Sequence, residues 1–397
     1  MKKLILLAVV FTLILSVFYG CEYDVDEGMQ INEQLVYTLV GEGEESYYIV
    51  GTCEKLADIG LSESSAMRLD FEEKSKQLGI YGGKDKTVTV PASHEGKPVR
   101  AVGAFAFYMC EAVEIILPES IELIGESAFR NCTNLKSVTV GNEENGSALT
   151  EISDKAFAGS EKVSCIYLYG SSVPTVSTLN PQQENNPFYT TWYPAVVVPQ
   201  AMVDVYKMDD VWGEYQDYIA SDSGVYVNGL IVEGGVLIKY VGEQTTVTIT
   251  EIVKIIGKYS FKNSTVAEVT ITPQVEEIGR QAFCDCKELV AVHVGDDSLL
   301  SIIGNNAFDG CIKLKTATLP PMMRIVKDEA FSDCTSLDTL YILGTSISNV
   351  FINAFENCTS LQDVFFAGSE LDFEKISFSK GNDRILNAVK NYNFNKQ

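Results

Sequence analysis

Histidine is nearly missing from this sequence: only His94 and His293 occur in 397 residues. Neither accompanies a Ser or Cys in a recognisable nucleophile motif, so acyl-transfer chemistry has no base to rest on. There is no Gly-x-x-x-x-Gly-Lys loop to cradle phosphates and no His-Glu-x-x-His to hold a catalytic zinc. Basic charge is also scarce. Lys and Arg number 30 against 54 Asp and Glu, a formal net charge of -24. Nucleic-acid binding needs a cationic stripe to displace counterions from phosphate, and this balance excludes it. It also excludes adsorption to anionic lipid by charge. Acidic loops suit calcium, but no Asp-x-Asp-x-Asp-Gly ligand run appears. Carboxylates are so common that close pairs arise by chance, and nothing singles out two of them for glycoside hydrolysis. The expectation is a protein that is not an enzyme, with no cofactor and no metal site.

What is there begins with an address. Lys2 and Lys3 precede an apolar run from Leu4 to Tyr19, broken only by Thr12 and Ser16, and then Gly20 and Cys21. This pattern reads as a secretory signal over 1–20. The run falls short of the roughly 20 apolar residues that a membrane span needs. A small residue followed by Cys resembles a bacterial lipobox, which implies diacylglyceryl attachment at Cys21. Phe18 and Tyr19 stand where lipoboxes usually carry Leu and a small residue, so plain signal cleavage is the alternative.

The strongest signal is internal repetition. Ile124-Gly125 is followed by Ala128-Phe129 and Cys132. The same register recurs at Ile278-Gly279, Ala282-Phe283 and Cys286, and again at Ile303-Gly304, Ala307-Phe308 and Cys311. Val326, Ala330-Phe331 and Cys334 follow, then Val350, Ala354-Phe355 and Cys358. Val102-Gly103 with Ala106-Phe107 and Cys110 opens the series, and Phe157 and Phe261 mark degenerate copies with Ser160 and Ser264 in place of Cys. Phe107 and Phe129 are 22 residues apart, as are Phe261 and Phe283; the later spacings are 25, 23 and 24. Such a unit cannot bury its own apolar residues and must stack on its neighbours. Alternation at the end of each unit, as at Val138 and Val140, predicts one strand per coil and a parallel sheet with a Phe column behind it. Phe107 and Phe261 each stand one residue closer to their strands than the other Phe residues do, and each opens a run. Two arrays are therefore expected.

The template resembles the BspA-like leucine-rich repeats of bacterial surface proteins. Thr87 to Pro91 with Glu95 to Val99 looks like that family's opening strand. Val198-Pro199, Val203, Tyr206-Lys207, Trp212, Tyr215 and Ile219 look like its array-terminating segment. Phe365 to Ser369 with Ile376, Asn382, Leu386, Ala388 and Tyr392 looks like its C-terminal cap. Lys327 and Phe351 depart from the pattern where Gly is usual, which predicts coils that bend or pack differently. The resemblance implies an exported surface protein with adhesion-type binding, and it supplies no catalytic residues.

The expected fold is a repeat solenoid, α/β leaning to β. Its plan is a signal peptide over 1–20, a lipid-anchored tether over 21–34 and a lead-in region over 35–86. Array one then spans 87–170, a capping spacer 171–222, array two 223–368 and a C-terminal cap 369–397. Six of the ten Cys share one template position where Ser also occurs, so they should form a column of small buried side chains. Cys284 and Cys286 form a Cys-x-Cys with no further ligand pair, which does not suit zinc.

Binding is expected on the outward face of the strands, where the residue between two inward apolar positions points away from the core. In array two these are Thr270, His293, Thr318, Tyr341 and Phe365, an outward ladder that becomes aromatic toward the C-terminus; Tyr167 is the aromatic counterpart in array one. Aromatic residues concentrate at binding hot spots, although the same rings can merely cover the sheet or pack under the cap. The spacer aromatics, among them Phe188, Trp192, Tyr193 and Trp212, are read as a plug for array one, or alternatively as a carbohydrate platform. The preferred function is an outer-surface lipoprotein, monomeric, that binds a host or bacterial surface protein. The alternatives are a glycan-binding lipoprotein for polysaccharide capture and a purely architectural envelope component.

Overall fold

A computed structural model describes residues 35–51, 81, 83–180, 182–191 and 193–395. The expected signal peptide and tether, with Cys21, and Trp192 lie outside the described residues. The chain from 35 onward is a parallel β-solenoid with little helix. Each coil contributes two strands to two sheets. The longer strand comes from the Val-x-Leu end of the template: Glu114–Leu117, Ser137–Val140 and Cys165–Leu168 pair in parallel. The second strand is only two residues long and comes from the Ile before Gly: Ile255–Ile256, Glu277–Ile278, Ile302–Ile303 and Ile325–Val326 pair in succession. Glycine after this short strand permits the tight stacking. A Cβ on Gly279 would lie 2.9 Å from the Ile256 carbonyl oxygen, and one on Gly304 would lie 2.8 Å from the Arg280 nitrogen. The pairing nonetheless passes unchanged through the coils carrying Lys327 and Phe351, since Val326 pairs with Val350.

The Ala-Phe segment is a turn on the third side of each coil, and two left-handed residues make it. One stands two positions before the Phe, as at Ser127, Gln281 and Asn306; the other stands two positions after, as at Asn131, Asp285 and Asp333. Asn, Asp and Gly tolerate positive φ best, which explains why they recur after the Phe. The turns stack by backbone hydrogen bonds, Phe283 N–H donating to Ala307 O at 2.7 Å and Phe308 N–H to Ala330 O at 2.7 Å. Behind them the rings form two columns. Tyr81, Phe107, Phe129, Phe157 and Phe188 succeed one another at 5.1–5.6 Å, and Tyr240, Phe261, Phe283, Phe308, Phe331 and Phe355 at 4.7–5.1 Å. A tyrosine heads each column. Both arrays also open with an antiparallel hairpin, Tyr37–Val40 with Tyr47–Val50 in one and Leu230–Glu233 with Val236–Tyr240 in the other.

The thiol column has a defined role. Cys132 donates to the Phe107 carbonyl of the preceding coil at 2.8 Å, and Cys286, Cys311, Cys334 and Cys358 make the same bond at 3.0–3.1 Å. Ser160 makes it with its hydroxyl, at 2.6 Å from Phe129 O. A small donor is what the position requires, so Cys and Ser interchange there. All eight described cysteines are free and buried. Burial pushes the Cys286 and Cys358 thiols up to about 12, which keeps them unreactive.

Residues 171–222 continue the solenoid. Ala195–Val198 adds in parallel to Cys165–Leu168, and Ile219–Ser221 adds to Ala195–Val198. Pro187-Phe188 takes the place of Ala-Phe: Phe157 N–H donates to Pro187 O at 2.8 Å, and the Phe188 ring extends the column. Trp212 and Tyr215 then bury over that ring, anchored by Trp212 Nε1 to Pro174 O at 2.8 Å and Tyr215 Oη to Pro194 O at 3.0 Å. The helix Val203–Met208 lies beside them and buries Tyr206 against Trp212.

Candidate functional site

The second array carries its long strands in two separate sheets. Thr246–Thr248, Glu268–Ile271 and Ala291–Val294 form one; Thr316–Leu319, Thr339–Ile342, Asp363–Phe366 and Val389–Asn391 form the other. The outward ladder is therefore interrupted. His293 stands opposite Thr270 in the first sheet. Thr318, Tyr341 and Phe365 stand opposite one another in the second, continued by Asn391. The break coincides with the longest coil of the second array, the 25 residues from Phe283 to Phe308. Val292 and Val294, whose counterparts elsewhere are fully buried, are only half-buried there. The neighbouring inward position holds Ala317, the smallest side chain in its column, and a narrow apolar slot opens over Phe308 between the sheets.

Within the second sheet the aromatic residues converge. The Tyr341 and Phe365 rings stack at 5.2 Å with 17° between their planes. Phe394, from the tail beyond the last strand, folds back against both at 5.7 and 4.9 Å, held by its N–H to Phe366 O at 2.9 Å. All three are half-buried. Sequence reasoning did not single out Phe394; it lies past the last repeat, and only the return of the tail brings it to the ladder. His293 remains exposed and lies 3.6 Å from the Glu268 carboxylate of the neighbouring coil.

Tyr167 is placed elsewhere. The outer face of array one's last strands, Cys165, Ala195, Val197 and Ala220, is buried against Ile231 and Ile238 of the hairpin that opens array two, and Tyr167 packs at the edge of that seam. Ala195–Val198 is consequently buried on both faces, as a strand enclosed between two layers must be. Array two is thus mounted on the outward face of array one, and Tyr167 cannot share a ladder with Tyr341 and Phe365.

The remaining expected positions carry no chemistry together. His94 stacks on Tyr37 at 4.1 Å in the first hairpin region, and burial lowers its pKa. Among the described residues no group of three or more His, Cys, Asp or Glu is placed to hold a metal ion. Among them, too, no helix is long and apolar enough to cross a membrane.

Comparison with known proteins identifies the repeat. The pattern of the BspA type leucine rich repeat region matches six copies, over residues 92–178, 239–302 and 297–389, more than half of the chain. Among curated proteins none matches. Among solved structures, a leucine rich cell surface protein from Faecalibacterium prausnitzii is 21% identical, with a TM-score of 0.42, 90% of this chain and 99% of that one being covered. A leucine-rich repeat protein from Eubacterium ventriosum is 16% identical with a TM-score of 0.45, covering 92% of this chain and 95% of that one. The pneumococcal vaccine antigen PcpA is 15% identical with a TM-score of 0.38, covering 92% and 96%.

Proposed function

Because the chain belongs to the BspA type leucine-rich repeat family, we propose that it is a non-catalytic, adhesin-like surface protein that binds a protein partner through the outward face of its C-terminal sheet. The supporting observation is the cluster of Tyr341, Phe365 and Phe394 on a face otherwise lined by Thr318 and Asn391. Large rings that are half-buried by one another are already ordered, so a partner covering them loses little side-chain entropy. The stacking also bears on the kind of partner. Rings piled along a parallel sheet turn their faces to each other and their edges outward. A sugar stacks on an open aromatic face, so this arrangement favours a protein over a glycan.

Alanine at both Tyr341 and Phe365 tests the assignment. Binding of the purified chain to a panel of matrix proteins should fall at least about tenfold, the scale of hot-spot losses, while the melting temperature changes by a few degrees. Unchanged capture by a folded double variant refutes the site, and retention only on a glycan array transfers it to the rival class. The same reading places the protein at the outer surface, held by lipid on Cys21. Intact mass of membrane-extracted protein tests the anchor, and a mature form without acyl mass removes it.

A further inference from the structure

The first two thiols of the column differ from the rest. Cys286, Cys311, Cys334 and Cys358 each donate to the Phe carbonyl of the preceding coil. Cys110 heads the column of array one and makes its hydrogen bond to Cys132 instead, Sγ to Sγ at 3.1 Å. The rungs just before them, Phe107 N–H to Ala128 O at 2.8 Å and Met109 N–H to Arg130 O at 2.9 Å, hold the two backbones in register. Chains joined by such rungs lie about 4.8 Å apart, inside the roughly 4.4–6.8 Å of Cα separation that a disulfide spans. The Phe107 carbonyl accepts from Cys132 Sγ at 2.8 Å and also from Cys110 N–H at 3.0 Å, so it keeps a donor when the Cys132 proton leaves. At the head of array two Ser264 takes the place of the first thiol, 3.5 Å from Cys286 Sγ.

We propose that Cys110 and Cys132 are a modification site, where exchange with a small-molecule disulfide forms a covalent bridge between the first two repeats of array one. The Cys110 thiolate attacks one sulfur of the small disulfide. A mixed disulfide forms, and the leaving thiolate takes up the proton that Cys110 lost. Cys132 then attacks Cys110 Sγ, and its proton goes to the second leaving thiolate. Two protein thiols are oxidised and one small disulfide is reduced to two thiols. The contact with Cys132, which can donate to a Cys110 thiolate, holds the Cys110 thiol below its ordinary value, while burial pushes Cys132 well above; Cys110 is therefore the first to attack. The bridge joins residues 22 apart and restrains the unfolded chain accordingly. Its place in the fold gives it a use. The coil of Phe107 stacks on the hairpin strand Tyr47–Val50 and not on another repeat, and end segments open most readily. The hairpin that opens array two is itself buried against array one, so that end is held without a covalent bond. An exported chain meets the oxidising surroundings in which disulfides persist; this is the inference's one link to the proposed function, and the test on purified protein does not depend on it.

Refolding the purified full chain from urea in a mixture of reduced and oxidised glutathione, followed by alkylation of the remaining thiols and peptide mapping, tests it. One bridge per chain is expected, joining Cys110 to Cys132, with the intact mass lower by two hydrogens. The oxidised chain should melt above the Cys110→Ser variant, and the difference should largely vanish when both are reduced with dithiothreitol. Ser264 already stands at the corresponding position of array two, so the variant should fold; Cys132→Ser, which keeps a donor to the Phe107 carbonyl, should lose the bridge in the same way. A chain that stays fully alkylated at every glutathione ratio, a bridge mapped to any other pair of the ten cysteines, or an oxidised chain that melts no higher than its reduced form overturns the proposal.

Discussion

Phe283→Ala is the most direct test of how the arrays are held. The Phe283 ring is fully buried and lies between Phe261 at 4.7 Å and Phe308 at 5.1 Å, nearly parallel to both. Truncating a buried Phe costs about 3–5 kcal/mol, depending on how far the surroundings collapse into the space. Collapse is restricted here. The turn is pinned on both sides by Phe261 N–H to Ala282 O at 2.8 Å and Phe283 N–H to Ala307 O at 2.7 Å, so neighbouring coils cannot close up without breaking their rungs. Stacking on two faces, each worth about 0.5–1.5 kcal/mol beyond area, is lost as well. A cost near the upper end, about 4–5 kcal/mol, is expected from urea unfolding. Phe283→Leu, which keeps most of the volume, should cost less than half of that. A loss below about 1.5 kcal/mol for Phe283→Ala would mean that the ring column is not what joins the coils, and the solenoid argument would fail with it.

Cys334→Ser should lie within about 1 kcal/mol of the parent at pH 7 in thermal melts, since Ser160 already makes the equivalent bond; Cys334→Val, without a donor and with an added branch, should cost more. Asn382 ends the second column: its amide accepts from Phe355 N–H at 3.2 Å and donates to Phe351 O at 2.6 Å and Ser379 O at 2.9 Å. Asn382→Ala strands all three groups and should cost about 3 kcal/mol, with faster hydrogen exchange at the Phe355 amide. In reducing buffer, stability should fall as pH rises through 9. There the thiols of the unfolded chain ionise, while those of the column, with pKa raised by burial, hold their protons. Each such thiol then loses about 1.4 kcal/mol per further pH unit. Lys239 acts in the opposite sense: its lowered pKa means that the unfolded chain holds the extra proton, so its share of stability rises above about pH 8. Lys239→Met should therefore lose stability more steeply than the parent between pH 8 and 9, and matching slopes would contradict a buried ammonium.

The repeated coil was legible because its requirements recur. One Ala-Phe turn, one small donor and one alternating strand return at a nearly fixed interval, and each copy reinforces the register of the next. The short Ile-Gly strand was less visible because two residues carry no periodicity of their own; only the glycine that follows betrays close stacking. The coil built on Phe188 falls in the stretch 171–222 that was read as a capping spacer, since Pro181, Pro187 and Pro194 argue against regular helix. Proline is compatible there because the rung between coils uses the Pro187 carbonyl, and the amide it lacks makes only a long bond within the coil elsewhere, as from Ala282 N–H to Gly279 O at 3.3 Å. The distance from Phe188 to Val196 equals that from Phe107 to Ile115 and from Phe261 to Val269, so the signal was present in spacing though absent in residue type.

The candidate sites mark where one-dimensional reasoning stops. Outward positions follow from alternation within a strand, but whether an outward side chain meets solvent depends on what another part of the chain places over it. Tyr167 and Tyr341 occupy the same template position and differ only in that the hairpin Leu230–Tyr240 packs at the first and the tail carrying Phe394 at the second. The ion pair between Lys136 and Glu243 shows the same dependence from the other side. The two are 107 residues apart in sequence, and only the docking of one array on the other brings them together. Ladder continuity is likewise set between coils. The sheet divides between His293 and Thr318 where an alanine fills the next inward position; coil length by itself does not divide it, since the 28-residue coil from Phe129 to Phe157 keeps Ser137–Val140 paired with Cys165–Leu168. If that reasoning holds, replacing Ala317 by Val should fill the slot over Phe308 and draw the two sheets together. Slower amide exchange in Ala291–Val294 would then register the closure, and unchanged exchange in a folded Ala317→Val variant would show that the space beside Ala317 does not hold the sheets apart.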